Sequence, residues 1–206
     1  MRFVINLLPQ LQNSPSLRRV ITVLAGGFEG KMFTDDFVGR KVAMSNVRGH
    51  SCSMMTLALE AISQQAPSVS FIHNYPGAVN TNLIRGDEGF MLQVVKYYFK
   101  LRLAFKRMPL KECGERHAFL CTSAKYPPSK DTESTSGVPL TPSIQIAKGV
   151  DGRIGSGVYS VNHEGESMKP EIEELLGQYR REGMVEKVWK HTEGEFSRIT
   201  GLATAL

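Results

Sequence analysis

Two short runs of β-branched and other apolar side chains, separated by a helical segment, constrain the fold of this 206-residue chain most strongly. The runs Val20–Leu24 and Val69–His73 are typical of strands that are buried on both faces of a parallel sheet. Between them, residues 48–63 carry apolar side chains at helical spacing. A strand, a helix and a second strand in this order predict half of a doubly wound α/β sheet.

The composition is that of an ordinary folded domain. Hydrophobic residues make up 41% of the chain and charged residues 22%, and 206 residues can bury a core without disulfide or metal staples. These values exclude intrinsic disorder and small disulfide scaffolds. The three cysteines form no C-x-x-C pair, so we expect free thiols, a cytoplasmic location and no metal site; they are Cys52, Cys113 and Cys121.

The positive charge is concentrated in one stretch. The whole chain has a formal charge of +5, whereas residues 96–130 carry nine basic and two acidic side chains. A solvated helix face is the expected explanation, and a phosphate-bearing ligand, an anionic membrane and nucleic acid are the alternatives. Residues 88–107 predict an aromatic helix that packs on the core, covers a hydrophobic substrate or lies on a membrane. We expect no nucleic acid, and membrane contact is the less favoured alternative.

The chain reads as one domain made of four segments. Residues 1–86 are predicted to form the core of sheet and helices, residues 87–125 a helical cover, residues 126–150 a flexible loop, and residues 151–206 the last strand and the C-terminal helices. The predicted last strand is Val158–Val161, between a glycine and an asparagine. The loop is rich in Pro, Ser and Thr, and no internal repeat divides the chain.

The loop after the second strand carries a motif. Residues 75–81, Tyr-Pro-Gly-Ala-Val-Asn-Thr, resemble the P-G-x-V-x-T loop of the short-chain dehydrogenase/reductase family, which lies against the nicotinamide end of NAD(P). Residues 54–60 resemble the helix that carries the family's active-site Tyr and Lys. The resemblance implies a small-molecule substrate and NAD(P) as cofactor, with cofactor contacts from Pro76, Gly77, Val79 and Thr81.

Later segments resemble a divergent fungal branch of the same family, whose members often occur in secondary-metabolite gene clusters; they are residues 112–117, 122–128 and 155–159. The resemblance covers nearly the whole chain but only the C-terminal half of the family's fold. It implies a partial Rossmann-like sheet with a helical extension on the substrate side. In that strand order, the strand Val20–Leu24 has an open edge, which predicts a homo-oligomer, a partner chain that covers it, or an upstream part of the protein that this sequence lacks.

The same resemblance places other residues where the family has its catalytic groups. Ala25–Gly27 stands in place of the family's serine, and Ala43 and Val47 stand in place of its tyrosine and lysine. The chemistry needs a phenol whose pKa is lowered by a neighbouring cation, and no tyrosine precedes residue 75. No G-x-x-x-G-x-G phosphate-binding turn follows a strand. The catalytic residues are therefore unknown from the sequence.

Other polar side chains near these positions have plainer explanations. His50 is interpreted as a capping or surface histidine, with a proton carrier as the alternative. Ser51 and Cys52 lack an identifiable activating base, so neither is expected to be a nucleophile. Residues 115–117, Glu-Arg-His, are expected to form an outward-facing charged surface of a helix. Tyr159 is expected in the strand at the far edge of the sheet.

Three functions stay open on these grounds. The first is a short-chain dehydrogenase/reductase-like oxidoreductase in the biosynthesis of a small lipophilic secondary metabolite. The second is a cofactor-independent isomerase, cyclase or dehydratase that uses the same pocket. The third is a non-enzymatic binding protein that pairs through the open strand edge.

Overall fold

The computed structural model describes residues 1–79, 108–130 and 137–201. Within these residues the chain forms five helices and three strands. The helices are α1 (Arg2–Gln12), α2 (Met44–Gln65), α3 (Leu110–Thr122), α4 (Pro170–Arg181) and α5 (Met184–Thr200), and the strands are β1 (Arg19–Val23), β2 (Ser70–Asn74) and β3 (Val158–Val161).

The three strands form one parallel sheet in the order β1-β2-β3. Ile21 is paired with Ile72, and Ile72 with Tyr159, so the strands are in register across the sheet. Parallel neighbours require crossover connections, and α2 supplies the first of these between β1 and β2. The predicted α/β class and the partial Rossmann-like sheet are confirmed.

Helices cover both faces of the sheet, as a doubly wound fold requires. Side chains of a strand alternate between the faces, so Phe71 packs among residues of α2 and α5, whereas Ile72 packs on the opposite face. There it lies in a second apolar cluster with Leu120, Tyr126 and Tyr159. Every residue of β2 is buried, because this strand has neighbours on both flanks and both faces.

Strand β1 differs from the sequence-based expectation of burial on both faces. Its residues are half-buried, and Val23 and the following Leu24 are 52% and 43% exposed. Among the described residues, β1 is paired only with β2 and lies at the edge of the sheet. The edge position accounts for the exposure. Tyr159 lies in β3 at the other edge, as predicted, and is fully buried beneath helix α3 and the loop after it.

Arg19, the first residue of β1, connects this strand to helix α3 through hydrogen bonds. The Arg19 guanidinium donates hydrogen bonds to the carbonyls of Leu120, Ser123 and Tyr126, at 2.8, 2.9 and 2.7 Å. The last carbonyls of a helix lack partners within the helix, and a cation there also complements the negative end of the helix dipole. Arg19 therefore caps α3 from a distant part of the chain.

Helix α2 begins at Met44, four residues before the predicted start, and runs to Gln65. The Glu60 carboxylate on this helix binds Arg180 of α4 at 2.7 and 2.9 Å. Burial raises the pKa of Glu60, and the hydrogen bond and charge of Arg180 oppose that rise. The same guanidinium donates to the Val150 carbonyl at 2.6 Å, which joins α2, α4 and the residues before β3.

Some sequence-based predictions lie outside the described residues. The aromatic helix over residues 88–107 is one, and part of the basic stretch is another. No helix in the described ranges is both long and apolar enough to span a bilayer.

Candidate functional site

The loop after β2 lies at the carboxyl edge of the sheet, where ligands of open α/β sheets bind. Gly77 has a φ of +81°, and a Cβ there would lie 3.2 Å from His163 Cβ and 3.4 Å from Met108 Cε. The loop therefore needs glycine at this position. The Met108 N–H donates to the Ala78 carbonyl at 2.9 Å, and Val79 forms a β-bridge with Met108.

Of the four predicted cofactor contacts, three are thus placed together at this edge: Pro76, Gly77 and Val79. All three are half-buried, so each has surface available to a ligand. Thr81 lies outside the described residues.

The glycine turn after β1 packs against protein instead of forming an open cradle. The Ala25 N–H donates to His73 Nε2 at 3.3 Å, and the Gly27 N–H donates to Ser160 Oγ at 2.8 Å. A Cβ on Gly26 would overlap the carbonyl of His73, so the turn lies directly on β2. Two of the turn's amides, those of Ala25 and Gly27, are therefore used within the protein.

A buried carboxylate lies beneath this turn. The Glu29 side chain is fully buried, and its Oε1 accepts hydrogen bonds from Thr56 Oγ1 at 2.7 Å and Ser160 Oγ at 2.5 Å. Oε2 has no hydrogen-bond partner. Burial alone raises the pKa of Glu29, but hydrogen bonds from His73, Ser160 and Thr56 outweigh it and hold that pKa below its usual range.

His73 completes this network. Its Nε2 accepts the Ala25 N–H, so Nδ1 carries the proton and donates to Thr56 Oγ1 at 2.9 Å. Thr56 in turn donates to Glu29, and His73 Nδ1 lies 3.4 Å from Glu29 Oε1. Because every member is buried, the network supports the carboxyl edge from below and does not itself meet a ligand.

An aromatic and cationic group lies at the same edge. The rings of Phe28 and Tyr75 meet edge to face with centroids 4.9 Å apart, and Tyr75 lies 6.3 Å from the His163 ring. The Arg48 guanidinium carbon lies 3.5 Å from the Phe28 centroid and 5.1 Å from that of Tyr75. Arg48 follows directly after Val47, the position at which the resemblance expects a lysine. A phenol and a cation are therefore both present near the Pro76–Gly77 loop.

A cleft of about 560 Å³ opens next to the loop, between α3 and the residues after β3. Its walls include Asn74, Pro76, Met108, Arg116, His117 and His163. Arg116 and His117 belong to the segment that was expected to face outward; both are half-buried and line the cleft. The difference arises because the loop after β3 folds over this face of α3, where the Arg116 guanidinium donates to the His163 carbonyl at 2.6 Å.

The positions of the family's catalytic residues are occupied by side chains without acid–base chemistry. Ala43 is exposed immediately before α2, and Val47 is half-buried in its first turn. His50 is buried: its Nδ1 accepts the Phe33 N–H at 3.2 Å, and its Nε2 donates to the Phe37 carbonyl at 3.1 Å. It is therefore neither a surface residue nor a free proton carrier. Its two hydrogen bonds join the segment before α2 to the helix.

Cys52 is also excluded as a nucleophile. It is fully buried, and burial together with the nearby Glu29 carboxylate raises the pKa of its thiol to about 12. Ser51, beside it, is half-buried. Among the described residues, no group of three or more His, Cys, Asp or Glu side chains could hold a metal ion.

Sequence reasoning missed Glu29, Thr56, Ser160, Arg48 and Asn74. Glu29 carried a signal, since a charged residue two positions beyond Gly27 at a strand's carboxyl end lies where parallel sheets place their sites. The others had no local signal, because their contacts join residues far apart in the chain; Glu29 and Ser160 are 131 positions apart.

The residues fit only one end of the implied cofactor. The Pro76–Gly77 loop stands where the resemblance expects the nicotinamide to lie. The turn after β1 stands where the resemblance expects the family's serine, and its Ala25 and Gly27 N–H groups donate to His73 and Ser160. The G-x-x-x-G-x-G spacing of the family's phosphate-binding turn does not occur in this sequence.

Fold and edge together define a partial Rossmann-like α/β protein with a glycine-containing loop at the carboxyl edge of its parallel sheet. Similarity to known proteins places the chain more narrowly. It is 40% identical over 198 residues to the protein named oxidoreductase AN1596 of Emericella nidulans, an alignment that covers 94% of this chain and 57% of that protein. It is a homologue of fungal oxidoreductases, and its resemblance to the short-chain dehydrogenase/reductase family is confirmed.

Two further relatives are also named as enzymes of this kind. Oxidoreductase andH of Emericella variicolor is 34% identical over 206 residues, covering 98% of this chain and 59% of that protein. Short-chain dehydrogenase/reductase SAT2 of Stachybotrys chartarum is 29% identical over 204 residues, covering 93% and 54%. The chain thus spans less than 60% of the length of these relatives. No family model matches the chain, and no solved structure matches it.

Proposed function

We propose that this chain acts in an NAD(P)-linked oxidoreductase of the short-chain dehydrogenase/reductase type, on a small lipophilic secondary metabolite in the cytoplasm. The observation that carries the proposal is the Pro76–Gly77 loop, held at the carboxyl edge of the sheet beside a cleft of about 560 Å³. The names of the relatives, all oxidoreductases, support it.

The chain's part in cofactor binding is limited to the loop. Pro76, Gly77 and Val79 would bound the nicotinamide end, and when bound the cofactor would supply hydride chemistry. The phosphates would need contacts from elsewhere, because no G-x-x-x-G-x-G turn occurs in this sequence. Cofactor affinity is therefore expected to be weak in this chain.

A proton donor is needed whether the reaction is a reduction or an isomerisation. Tyr75 is the phenol at the carboxyl edge, next to Pro76 and half-buried. Its ring packs edge to face against Phe28 and is approached by the Arg48 guanidinium, so two neighbours fix its position. We assign Tyr75 as the proton carrier for a ligand at the Pro76–Gly77 loop; its neighbours Asn74 and Pro76 line the cleft, whereas Tyr75 itself does not. Tyr75→Phe keeps the edge-to-face contact and removes the hydroxyl, so it should abolish turnover while ligand affinity changes less than threefold.

A second function is favoured by the turn after β1. Since Ala25–Gly27 stands in place of the family's serine and its Ala25 and Gly27 N–H groups are used within the protein, the same edge suits a cofactor-independent isomerase, cyclase or dehydratase, or a binding protein. Either would use the cleft without a nucleotide.

A fluorescence titration with NADPH separates these functions. Gly77→Ala should weaken NADPH binding, because the new methyl group meets His163 and Met108. Gly183→Ala is the matched control, since Gly183 also has a positive φ but nothing within 4 Å of its Cβ position. Saturable binding that is lost in Gly77→Ala and kept in Gly183→Ala supports the oxidoreductase. Absence of binding at millimolar NADPH rejects it for this chain and leaves the cofactor-free function.

The open flank of β1 supports a proposal about partners. The strand has no paired strand on that side among the described residues, and Val23 and Leu24 at its carboxyl end are exposed. Such edges pair with other strands, so we propose that a second copy or another chain covers it. Light scattering of the purified chain tests the homo-oligomer, and a strictly monomeric species across the micromolar range would reject it.

A further inference from the structure

We infer that the cleft beside α3 binds a phenol or an alcohol whose hydroxyl group donates a hydrogen bond to Nε2 of His117. This inference goes beyond the proposed oxidoreductase function, because it concerns recognition in the cleft and holds with or without NAD(P). It rests on the hydrogen bonding of His117 and on how its surroundings differ from those of His163, which lines the same cleft.

The helix that carries His117 fixes which ring nitrogen holds the hydrogen. Nδ1 lies 2.8 Å from the carbonyl oxygen of Cys113, one turn earlier in α3. A carbonyl oxygen accepts and cannot donate, so Nδ1 is the donor. In the neutral imidazole Nε2 then has no hydrogen and is an acceptor. Because this bond lies within α3, the tautomer is set before any ligand binds.

The position of the ring leaves Nε2 for the cleft. His117 is half-buried and lines the cleft. Its Nδ1 faces the helix backbone, and the Cys113 sulfur lies 3.6 Å from the same nitrogen. Nε2 is farther from the main chain and lies on the side of the ring away from that carbonyl. It is therefore the ring nitrogen that a molecule in the cleft can reach.

An acceptor in this place selects a ligand by its polarity. A hydroxyl group can donate to Nε2 of His117, whereas an ether or ketone oxygen on the same skeleton cannot. Sites that hydrogen-bond a substrate hydroxyl strongly reject the analogue that lacks it. Partial burial strengthens this preference, because a hydrogen bond is stronger where the surroundings are less polar than water.

The other histidine has different surroundings. His163 is exposed and lies in the opposite wall, in the loop after β3. It packs on the glycine loop, where a Cβ on Gly77 would lie 3.2 Å from its Cβ, and its ring centroid is 6.3 Å from that of Tyr75. Water competes for an exposed imidazole, so His163 is expected to distinguish less between a hydroxyl and an ether. His117 is therefore assigned as the recognising histidine.

The ion pairs around the cleft are compatible with a neutral ligand. Glu166 is paired with Lys125 at 2.8 Å, and Arg116 binds the Glu112 carboxylate at 2.7 Å. A hydroxyl group on a neutral skeleton can bind His117 while both pairs stay intact.

The apolar part of the lining fits a hydrocarbon skeleton. It comes from Pro76, Met108, Phe119 and Leu120. A volume of about 560 Å³ lies within the range of small-molecule sites, which combine apolar walls with a few polar groups. A bicyclic aromatic molecule with one hydroxyl group offers the same combination.

The test uses 2-naphthol and 2-methoxynaphthalene as probes in equilibrium dialysis against the full chain at neutral pH. The two have similar shape and apolar surface, but only the naphthol can donate. We expect 2-naphthol to bind about tenfold more tightly, a ratio that corresponds to one hydrogen bond.

His117→Phe keeps a planar ring and removes Nε2, so the two probes should bind equally to this variant. His163→Phe is the matched control, since it makes the same substitution in the opposite wall of the same cleft. It should keep the tenfold ratio. If His117→Phe does not fold, the ring nitrogen resonances of His117 in the unmodified chain decide, because Nε2 should shift with 2-naphthol and not with its methyl ether.

Four results would overturn the inference. Equal affinity of the two probes for the unmodified chain is the first, and no saturable binding of 2-naphthol up to about 1 mM is the second. The third is a tenfold preference that survives in His117→Phe, which would place the hydroxyl on another acceptor of the cleft, such as Glu115 or Glu164. The fourth is loss of the preference in His163→Phe alone. NADPH binding is measured separately, so failure here leaves the oxidoreductase proposal intact.

Discussion

Replacing Glu29 by glutamine tests whether the buried network under the carboxyl edge stabilises the fold as an ionised carboxylate. In Glu29→Gln the side-chain oxygen can still accept from Thr56 and Ser160, which lie 2.7 and 2.5 Å away. Hydrogen bonds to a charged acceptor contribute about 1 kcal/mol more than neutral ones, so the two bonds lose about 2 kcal/mol together. The new amide nitrogen takes the place of Oε2, which has no partner, and a buried unsatisfied donor costs about 1–2 kcal/mol more.

The expected loss at pH 7 is therefore about 3–4 kcal/mol of unfolding free energy. With a urea m-value of about 2 kcal/mol/M, the unfolding midpoint should fall by roughly 1.5–2 M. The assay is urea unfolding followed by circular dichroism at a series of pH values. Glu174→Gln is the control, because Glu174 is exposed on α4 and its loss should change stability by less than about 0.5 kcal/mol.

The pH dependence has a definite sign. The pKa of Glu29 is lower in the folded chain than its ordinary value of 4.5, so its contribution is complete above that value and is lost as the pH falls through the folded pKa. The difference between the unmodified chain and Glu29→Gln should be constant from pH 7 to 5 and should narrow below 4.5. Equal midpoints at pH 7, or a difference that widens in acid, would refute the argument.

Three further outcomes follow from the packing. Arg19→Met should cost about 2–4 kcal/mol in urea unfolding, since three carbonyls around the end of α3 lose a charged donor; no change would mean that water replaces the guanidinium. Gly26→Ala should cost about 3 kcal/mol because the methyl group overlaps the His73 carbonyl, whereas Gly27→Ala has open space and should cost only about 1–2 kcal/mol for its positive φ. Iodoacetamide at pH 7.5 should label the exposed Cys121 quickly, and Cys52, with a pKa of about 12, only after unfolding; mass spectrometry of the peptides shows which thiol reacts first.

The core of the fold could be predicted because its signals are local. The run Val158–Val161 matches β3, and the predicted strand Val69–His73 differs from β2 by one residue at each end. The apolar spacing predicts the start of α2 four residues late, since residues 44–47 lack the pattern that marks the rest of the helix. The exposure of β1 could not be predicted from its own residues, which are as apolar as those of a central strand.

The candidate site also has one part that the sequence predicts and another that it does not. The Pro76–Gly77 loop carries a sequence motif, and the motif together with the preceding strand predicts its position at the carboxyl edge of the sheet. The network of Glu29, Thr56 and Ser160 joins the turn after β1, a helix and β3, so no sequence window contains it. The position of His50 was predicted wrongly. Its ring was expected at a helix cap or at the surface, but it is buried and hydrogen-bonded to the backbone of residues 33 and 37.

The three bonds of Arg19 also join the open side of the sheet to a wall of the cleft. Arg19 begins the edge strand, and Leu120, whose carbonyl it binds, lines the cleft on α3. If β1 detaches from the sheet, the end of α3 loses its hydrogen bonds from Arg19. We therefore expect β1 and α3 to unfold locally in one event. In hydrogen exchange, the amides of β1 and α3 should then share one opening free energy, and a molecule held in the cleft should slow both together.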